Sequence, residues 1–176
     1  MIKSKIIIYD IVLIALLASI LFVQEQLLSF LPNIQLTFLL IVLYSKKIGL
    51  YNTLLIILIH VLLDSLFTSS FSVLYTVPMF VGLIFIPISL NTIFKKVESH
   101  IVLACLSILY AVFYSLMFLI SFVIILQVDP IAYLVADSIF QVLLGASSFL
   151  TILILYPPLS KLFTELLNTR NIYKKQ

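Results

Sequence analysis

The stretch LIILIHVLLDSLF, residues 55–67, is an apolar run that contains one imidazole and one carboxylate, those of His60 and Asp64. Similar runs fill most of the 176-residue chain. Hydrophobic residues make up 64% of it, charged residues make up 10%, and the mean hydropathy is +1.31. A water-soluble domain carries about 25% charged residues because its surface faces water. The composition therefore predicts an all-α integral membrane protein whose surface faces hydrocarbon.

The apolar runs predict a single membrane domain over residues 1–176, built as a bundle of six transmembrane helices. A spanning helix needs about 20 apolar residues, and short polar segments divide the chain into runs near that length. We expect the sixth helix to end at Pro157 and Pro158, because proline breaks or kinks a helix. The predicted helices cover about residues 6–23, 34–44, 50–67, 73–94, 101–126 and 131–156.

The basic residues predict the orientation of these helices. The loops near Glu25, Thr68 and Asp129 contain no Lys or Arg, whereas the chain ends and the two other loops contain all ten. Cytoplasmic loops are enriched in Lys and Arg, so we expect six spans in the cell membrane with both termini in the cytoplasm. The basic excess then reflects topology and anionic lipid headgroups, and nucleic acid is not an expected partner. The ten residues are Lys3, Lys5, Lys46, Lys47, Lys95, Lys96, Lys161, Arg170, Lys174 and Lys175.

With this topology, polar side chains gather in the outer halves of the helices. A rise of about 1.5 Å per residue places His60 near mid-membrane and Asp64 one turn further out on the same face. Asp137 and Gln141 have the same spacing in the sixth helix. Ionisable groups within a membrane usually face the bundle interior or a water-filled cavity, so the pattern predicts an outward-opening pocket. Further polar residues at the same level are Asn33, Gln35, Tyr75, Gln127, Asp129 and Tyr133.

His60 and Asp64 each have a structural and a ligand-binding interpretation. His60 can form a hydrogen bond to a neighbouring helix. Asp64 can cap the outer end of its own helix or bond to nearby hydroxyls, those of Ser65, Thr68 or Ser69. We expect both residues to be mainly structural, with Gln35 as a further residue that either contacts substrate or stabilises the fold.

Asp137 and Gln141 are the predicted ligand contacts, with Tyr75 and Tyr133 as aromatic walls. Asp137 can also be a water-exposed helix start, and the two tyrosines can be interfacial belt residues. An acid and amides in one pocket suit a neutral or cationic ring system that forms hydrogen bonds, such as a pyrimidine or a B vitamin.

No pattern in the sequence predicts an enzyme. His60 and Asp64 without a third ligand do not make a zinc site, and no Gly-rich phosphate loop or Ser-His-Asp set is present. We therefore expect no catalytic residue, metal or cofactor, and any ATP hydrolysis would occur in a partner.

The first helix contains a pair of small residues one turn apart. In IALLASILF, residues 14–22, Ala15 and Ser19 have the spacing that lets another helix approach closely in lipid. That other helix can belong to this chain or to a partner protein.

Three stretches together resemble the substrate-binding S component of energy-coupling factor (ECF) vitamin transporters. They are IALLASILF, FLPNIQLTFLLIVLYSKKIGL (30–50) and LIILIHVLLDSLFTSSFSVLYTVPMFVGLIFIPI (55–88). The resemblance implies a receptor that binds a vitamin-like micronutrient from outside and topples to deliver it. Its partners would be a transmembrane coupling subunit and two ATPases. Two alanines of the first helix dock on the coupling subunit in that family; Ala15 matches one of them, and Ser19 replaces the other.

A second resemblance supports a function from another class. The stretch LLDSLFTSSFSVLYTVPMFVGLIF, residues 62–85, is similar to the MreD-type scaffold proteins of the cell-wall elongation machinery, which transport no ligand. A small gradient-driven transporter is a third possibility, although such folds often carry an internal repeat that is absent from this sequence.

Overall fold

The computed structural model describes residues 8–31, 33–68 and 72–173, with side chains over residues 10–31, 33–68 and 72–168. Several residues of the sequence analysis lie outside these ranges: Lys3, Lys5, Pro32, Ser69, Lys174, Lys175 and the side chain of Arg170.

The described residues form six α-helices and no β-strand. The helices are α1 (Ile8–Leu27), α2 (Thr37–Ile48), α3 (Leu50–Phe67), α4 (Val73–Asn91), α5 (His100–Leu126) and α6 (Pro130–Tyr173). All except α2 are long and apolar enough to cross a membrane. The chain therefore has the architecture of a multi-pass membrane protein.

The short helix α2 lies at the centre of the bundle. It has 12 residues, and every side chain from Thr37 to Ser45 is buried. Its neighbours are α1, α3, α4 and α6. A helix that is apolar all round is stable only when protein or lipid surrounds it, and here protein surrounds it. At about 1.5 Å per residue, α2 is about 18 Å long, shorter than the roughly 30 Å hydrocarbon core of a bilayer.

The predicted range of the second helix was wrong at both ends. The prediction was 34–44, whereas α2 covers Thr37–Ile48. Its start is delayed because the chain turns at Asn33, whose φ is 58°, and the Leu36 N–H then bonds to Gln24 Oε1 at 2.9 Å and not to a helical carbonyl. Its end is extended because Lys46 is held in the last turn: the Lys46 Nζ donates hydrogen bonds to the carbonyls of Phe94 (2.9 Å) and Lys95 (3.3 Å).

The predicted end of the sixth helix was also wrong. The 44-residue α6 continues through Pro157 and Pro158 to Tyr173. Contacts with α2 hold the residues beyond the prolines. The ring centroids of Tyr44 and Phe163 are 5.7 Å apart, and Lys47 Nζ donates to Thr164 Oγ1 at 2.8 Å. Tertiary packing thus overrides the helix-breaking tendency of the prolines.

Pro78 of α4 is accommodated by a hydrogen bond from a neighbouring helix. Pro78 has no N–H for the Leu74 carbonyl, and the hydroxyl of Ser121 on α5 donates to that carbonyl at 2.8 Å. A replacement donor of this kind makes a proline tolerable in a membrane helix. At the end of α4, the amide of Asn91 donates to the carbonyl of Pro87 itself at 2.8 Å and to Ser45 Oγ at 2.8 Å, which ties α4 to α2.

The two ends of the bundle differ in charge. At one end, which we call the basic end, α2 finishes and α3 begins. It carries all the described lysines: Lys46, Lys47, Lys95, Lys96 and Lys161. The opposite, acidic end contains the last turns of α1, α3 and α5 and the first turns of α4 and α6. Its carboxylates are Glu25, Asp64, Asp129 and Asp137, and no Lys or Arg is described there.

Helices α4 and α5 approach each other closely at Gly82. A Cβ atom added there would lie 2.6 Å from Cδ2 and 3.3 Å from Cα of Tyr114. The buried Gly145 on α6 is different, because its added Cβ would meet nothing closer than Ile108 Cγ2, at 4.0 Å.

We predict opposite effects of alanine at these two glycines. Gly82→Ala should lower the free energy of unfolding by about 1–3 kcal/mol, because the α4–α5 contact has no room for a methyl group. Gly145→Ala, the matched control, should be neutral or stabilising by up to about 1 kcal/mol, since alanine favours a helix. Thermal unfolding of the purified protein in detergent measures both, and equal melting temperatures would contradict the close contact.

Candidate functional site

Three cavities at the acidic end meet at one side chain, that of Tyr114. The α3–α4 cavity has a volume of about 310 Å³, the α1–α2 cavity about 310 Å³ and the α5–α6 cavity about 200 Å³. Tyr114 lines all three. Together they fall within the size range of small-molecule sites. We refer to them as the Tyr114 cavities.

The position of α2 creates the space for these cavities. Phe38, the second residue of α2, packs edge-to-face on Tyr114, with ring centroids 5.7 Å apart. Tyr114 lies near the middle of the 27-residue α5. Helix α2 therefore begins about halfway through the bundle, and the level above its first turn is left to the irregular α1–α2 connection, residues 28–31 and 33–36.

Gln24 holds this connection against α1. Its Oε1 accepts a hydrogen bond from the backbone N–H of Leu36 at 2.9 Å, and its Nε2 donates to Thr37 Oγ1 at 2.8 Å and to the Leu21 carbonyl at 2.9 Å. The Gln24 side-chain amide therefore gives the Leu36 N–H a hydrogen-bond partner, which the irregular backbone around it does not supply. Irregular backbone at membrane depth is stable only where it is buried in protein or lines a cavity.

Next to Gln24, an ionisable cluster joins α1 to α3. His60 is fully buried, and its Nε2 lies 3.0 Å from Oε2 of Glu25. The two atoms are at ion-pair distance but not in hydrogen-bonding geometry, and Nδ1 of His60 also lacks a hydrogen bond among the described residues. Asp64, one turn further along α3, accepts a hydrogen bond from Gln26 Nε2 at 3.3 Å.

The side chain of Asp64 does not lie where the helix-capping interpretation places it. Its carboxylate lines both the α3–α4 and the α1–α2 cavities. Ser65 Oγ pairs instead with Thr76 Oγ1 on α4, and the side chain of Thr68 donates to the backbone carbonyl of Asp64. The hydroxyls close the helix end, while the carboxylate remains on the cavity wall.

Asp137 and Gln141 line the α5–α6 cavity together with Tyr133. The Asp137 carboxylate accepts a hydrogen bond from Ser115 of α5. This bond is formed within the bundle, so Asp137 is more than a water-exposed helix start; that role belongs to Asp129, which accepts from the N–H groups of Ile131 and Ala132.

The other predicted site residues are divided among the cavities. Gln35 lines the α1–α2 cavity and Tyr75 the α3–α4 cavity. Tyr75 and Tyr133 both contact Phe122, at centroid distances of 5.7 and 5.2 Å. Of the residues predicted to contact substrate, the structure thus brings all except His60 onto the cavity walls, in three neighbouring cavities.

Among the lining residues that were absent from the predicted site, three bear most on its chemistry. Glu25 lies in QEQLLSFLPN, which the sequence marks only as a polar interruption. Tyr114 and Phe118 lie in an unbroken apolar helix where no sequence signal separates cavity-facing from lipid-facing aromatics. Their rings, with centroids 5.0 Å apart, separate the α3–α4 and α5–α6 cavities.

The small pair on α1 faces outward. Ala15 and Ser19 are exposed, and Ser19 Oγ donates to the Ala15 carbonyl at 2.8 Å, which keeps the hydroxyl on its own helix. The small residue that packs inside the chain is Ala18, which is fully buried. Packing of Ala15 and Ser19 against another helix of the described chain is therefore the wrong interpretation.

No group of three or more His, Cys, Asp and Glu side chains in the described part of the chain is arranged to hold a metal ion. Comparison of the chain with protein-family models, curated proteins and solved structures finds no match.

We predict that Gln24 is a main stabilising residue of the α1–α2 connection. Gln24→Ala should lower the free energy of unfolding by about 1–3 kcal/mol, because it leaves the Leu36 N–H without a partner. The control Gln26→Ala removes one long hydrogen bond to a side chain and should cost less than about 1 kcal/mol. Thermal unfolding compares them, and a larger loss for Gln26→Ala would contradict this role.

Proposed function

We propose that this protein is a substrate-specific S component of an ECF-type importer. It binds a vitamin-like micronutrient in the Tyr114 cavities and works with a coupling subunit and two ATPases. The observation that carries the proposal is the set of polar cavities at the acidic end of an otherwise apolar bundle. A scaffold protein needs no such space, whereas a receptor for a small solute does.

The proposal includes six membrane crossings with both termini in the cytoplasm. Helix α2 and the α1–α2 connection together form the second crossing, and the acidic end faces outward. The charge distribution supports this orientation, because every described lysine lies at the basic end and cytoplasmic ends are rich in Lys and Arg. A solute would then enter the cavities from outside the cell.

The outward face of α1 supports docking on a partner. Ala15 and Ser19 form a shallow notch between exposed larger residues, Leu16 and Ile20 among them. In lipid, such a notch allows close helix approach, where van der Waals packing drives association. The partner we propose is the ECF coupling subunit, and the energy comes from its two ATPases.

A receptor of this kind should be stabilised by its solute. We expect one member of a vitamin panel to raise the unfolding free energy of the purified protein by about 2.7 kcal/mol at a hundredfold excess over its dissociation constant. Thermal shift assays detect this effect. Stabilisation by none of the panel would favour the MreD-like scaffold.

The same assay tests the site. In Asp137→Asn the affinity for that solute should fall about tenfold or more if the solute donates a hydrogen bond to the carboxylate. Asp129→Asn serves as the control, because asparagine also caps a helix well and residue 129 lines none of the three cavities.

For docking, we predict that Ala15→Trp abolishes uptake by cells while solute binding by the purified protein is unchanged, because an indole fills the notch. Leu109→Trp, at an exposed apolar position on α5, should leave both unchanged. Normal uptake by the Ala15→Trp variant would refute the docking assignment.

A further inference from the structure

Negative charge is concentrated around the Tyr114 cavities. Glu25 and Asp64 line two of them together, and Asp137 lines the third. No Lys or Arg is among the residues that line the three cavities. The closest candidate for a counter-charge is His60, whose Nε2 lies 3.0 Å from Oε2 of Glu25 and which also interacts electrostatically with Asp64.

The hydrogen bonds of these carboxylates are incomplete. An ionised carboxylate offers about four acceptor positions. Among the described residues, Asp64 accepts one side-chain hydrogen bond, from Gln26, and Asp137 accepts one, from Ser115. Oε2 of Glu25 is buried without a hydrogen bond. The carboxylates on the cavity walls therefore keep acceptor positions that no described side chain occupies.

Fully buried His60 lies behind the cavity wall, against Glu25. Neither of its ring nitrogens has a hydrogen bond, and Nε2 points toward the Glu25 carboxylate on the cavity wall. Buried polar side chains in native proteins nearly always have a partner. The Glu25–His60 pair thus leaves polar atoms of both side chains without a hydrogen bond.

Aromatic rings complete the walls. Tyr114 and Phe118 line both the α3–α4 and the α5–α6 cavities, and Tyr75 and Tyr133 lie towards the acidic end. Aromatic faces attract cations through the ring quadrupole, most strongly where water is excluded. Carboxylates together with aromatic rings are a suitable environment for an organic cation.

We propose that the solute is a small organic cation that carries a positively charged nitrogen and a planar ring. The charged nitrogen binds beside Glu25 and Asp64, where two cavities share one wall. The ring lies against Tyr114 and Phe118, and Asp137 with Gln141 forms hydrogen bonds to the uncharged part. This inference rests on the proposed receptor function and names its substrate class; it also assigns Asp64 a ligand contact in place of a purely structural role.

The test is a panel of charge classes on the purified protein in lipid nanodiscs. The cations are thiamine, 1-methylnicotinamide and benzyltrimethylammonium; the neutral compounds are pyridoxine, nicotinamide and riboflavin; the anions are nicotinate, biotin and pantothenate. We expect stabilisation from the cation class, with 1-methylnicotinamide bound at least tenfold more tightly than nicotinamide.

The outcomes separate the two proposals. Stabilisation by a neutral or anionic compound and by no cation would overturn the cation preference while leaving the receptor function in place. Stabilisation by no compound of any class would reject the receptor function, and the cation preference with it.

Variants then locate the charge. Asp64→Asn and Glu25→Gln should each weaken binding of the stabilising cation about tenfold or more, because each removes a negative charge that attracts the charged nitrogen of the cation at short range. The ratio of cation to neutral affinity should fall with it. Asp129→Asn, which removes a carboxylate at the same end but outside the cavities, should change neither by more than about twofold. Unchanged cation affinity in both Asp64→Asn and Glu25→Gln would overturn the assignment, whatever their effect on thermal stability.

Discussion

The structure depends on one constraint, that every backbone polar group inside the bundle must find a hydrogen-bond partner. Helix α2 is too short to cross a bilayer, so the α1–α2 connection enters the bundle with isolated turn hydrogen bonds, such as that from Leu31 N–H to the Leu28 carbonyl at 2.8 Å, in place of a regular helix. The Gln24 amide bonds both the backbone of Leu36 and the side chain of Thr37. Because these groups have hydrogen-bond partners, the space between the first turn of α2 and the acidic end can remain open and lined by polar side chains.

That open space determines where the ionisable groups can lie. A carboxylate exposed to lipid is costly, so acids within membrane helices face the interior or a cavity. Glu25, Asp64 and Asp137 all lie on cavity walls, and each comes from a different helix. The short α2, the cavities and the acids are therefore consequences of a single arrangement, in which a half-length helix takes the central position of the bundle.

Helix α1 contributes both to the proposed solute site and to the proposed docking surface. Its last turns carry Gln24 and Glu25, which organise the cavities, and its middle carries Ala15 and Ser19 on the opposite, exposed face. A rigid helix that contributes to both a solute site and a docking surface fits a receptor whose delivery step depends on a partner. The inward-facing Ala18 meanwhile packs α1 against the core.

The sequence by itself determined the membrane class, the helical content and the separation of the lysines from Glu25, Asp64, Asp129 and Asp137, and it singled out several polar residues that line the cavities. These follow from composition, from apolar run length and from a spacing of four residues, all of which are local properties. Only the tertiary structure decided that α2 is central and half-length, that α6 passes through Pro157 and Pro158, and that Tyr114 joins the cavities. The physical reason is that the local sequence around a proline, a tyrosine or a glutamate in an apolar run is the same whether the side chain contacts lipid or another helix. Its role depends on which neighbour supplies the contact or the hydrogen bond, and that neighbour is distant in the chain.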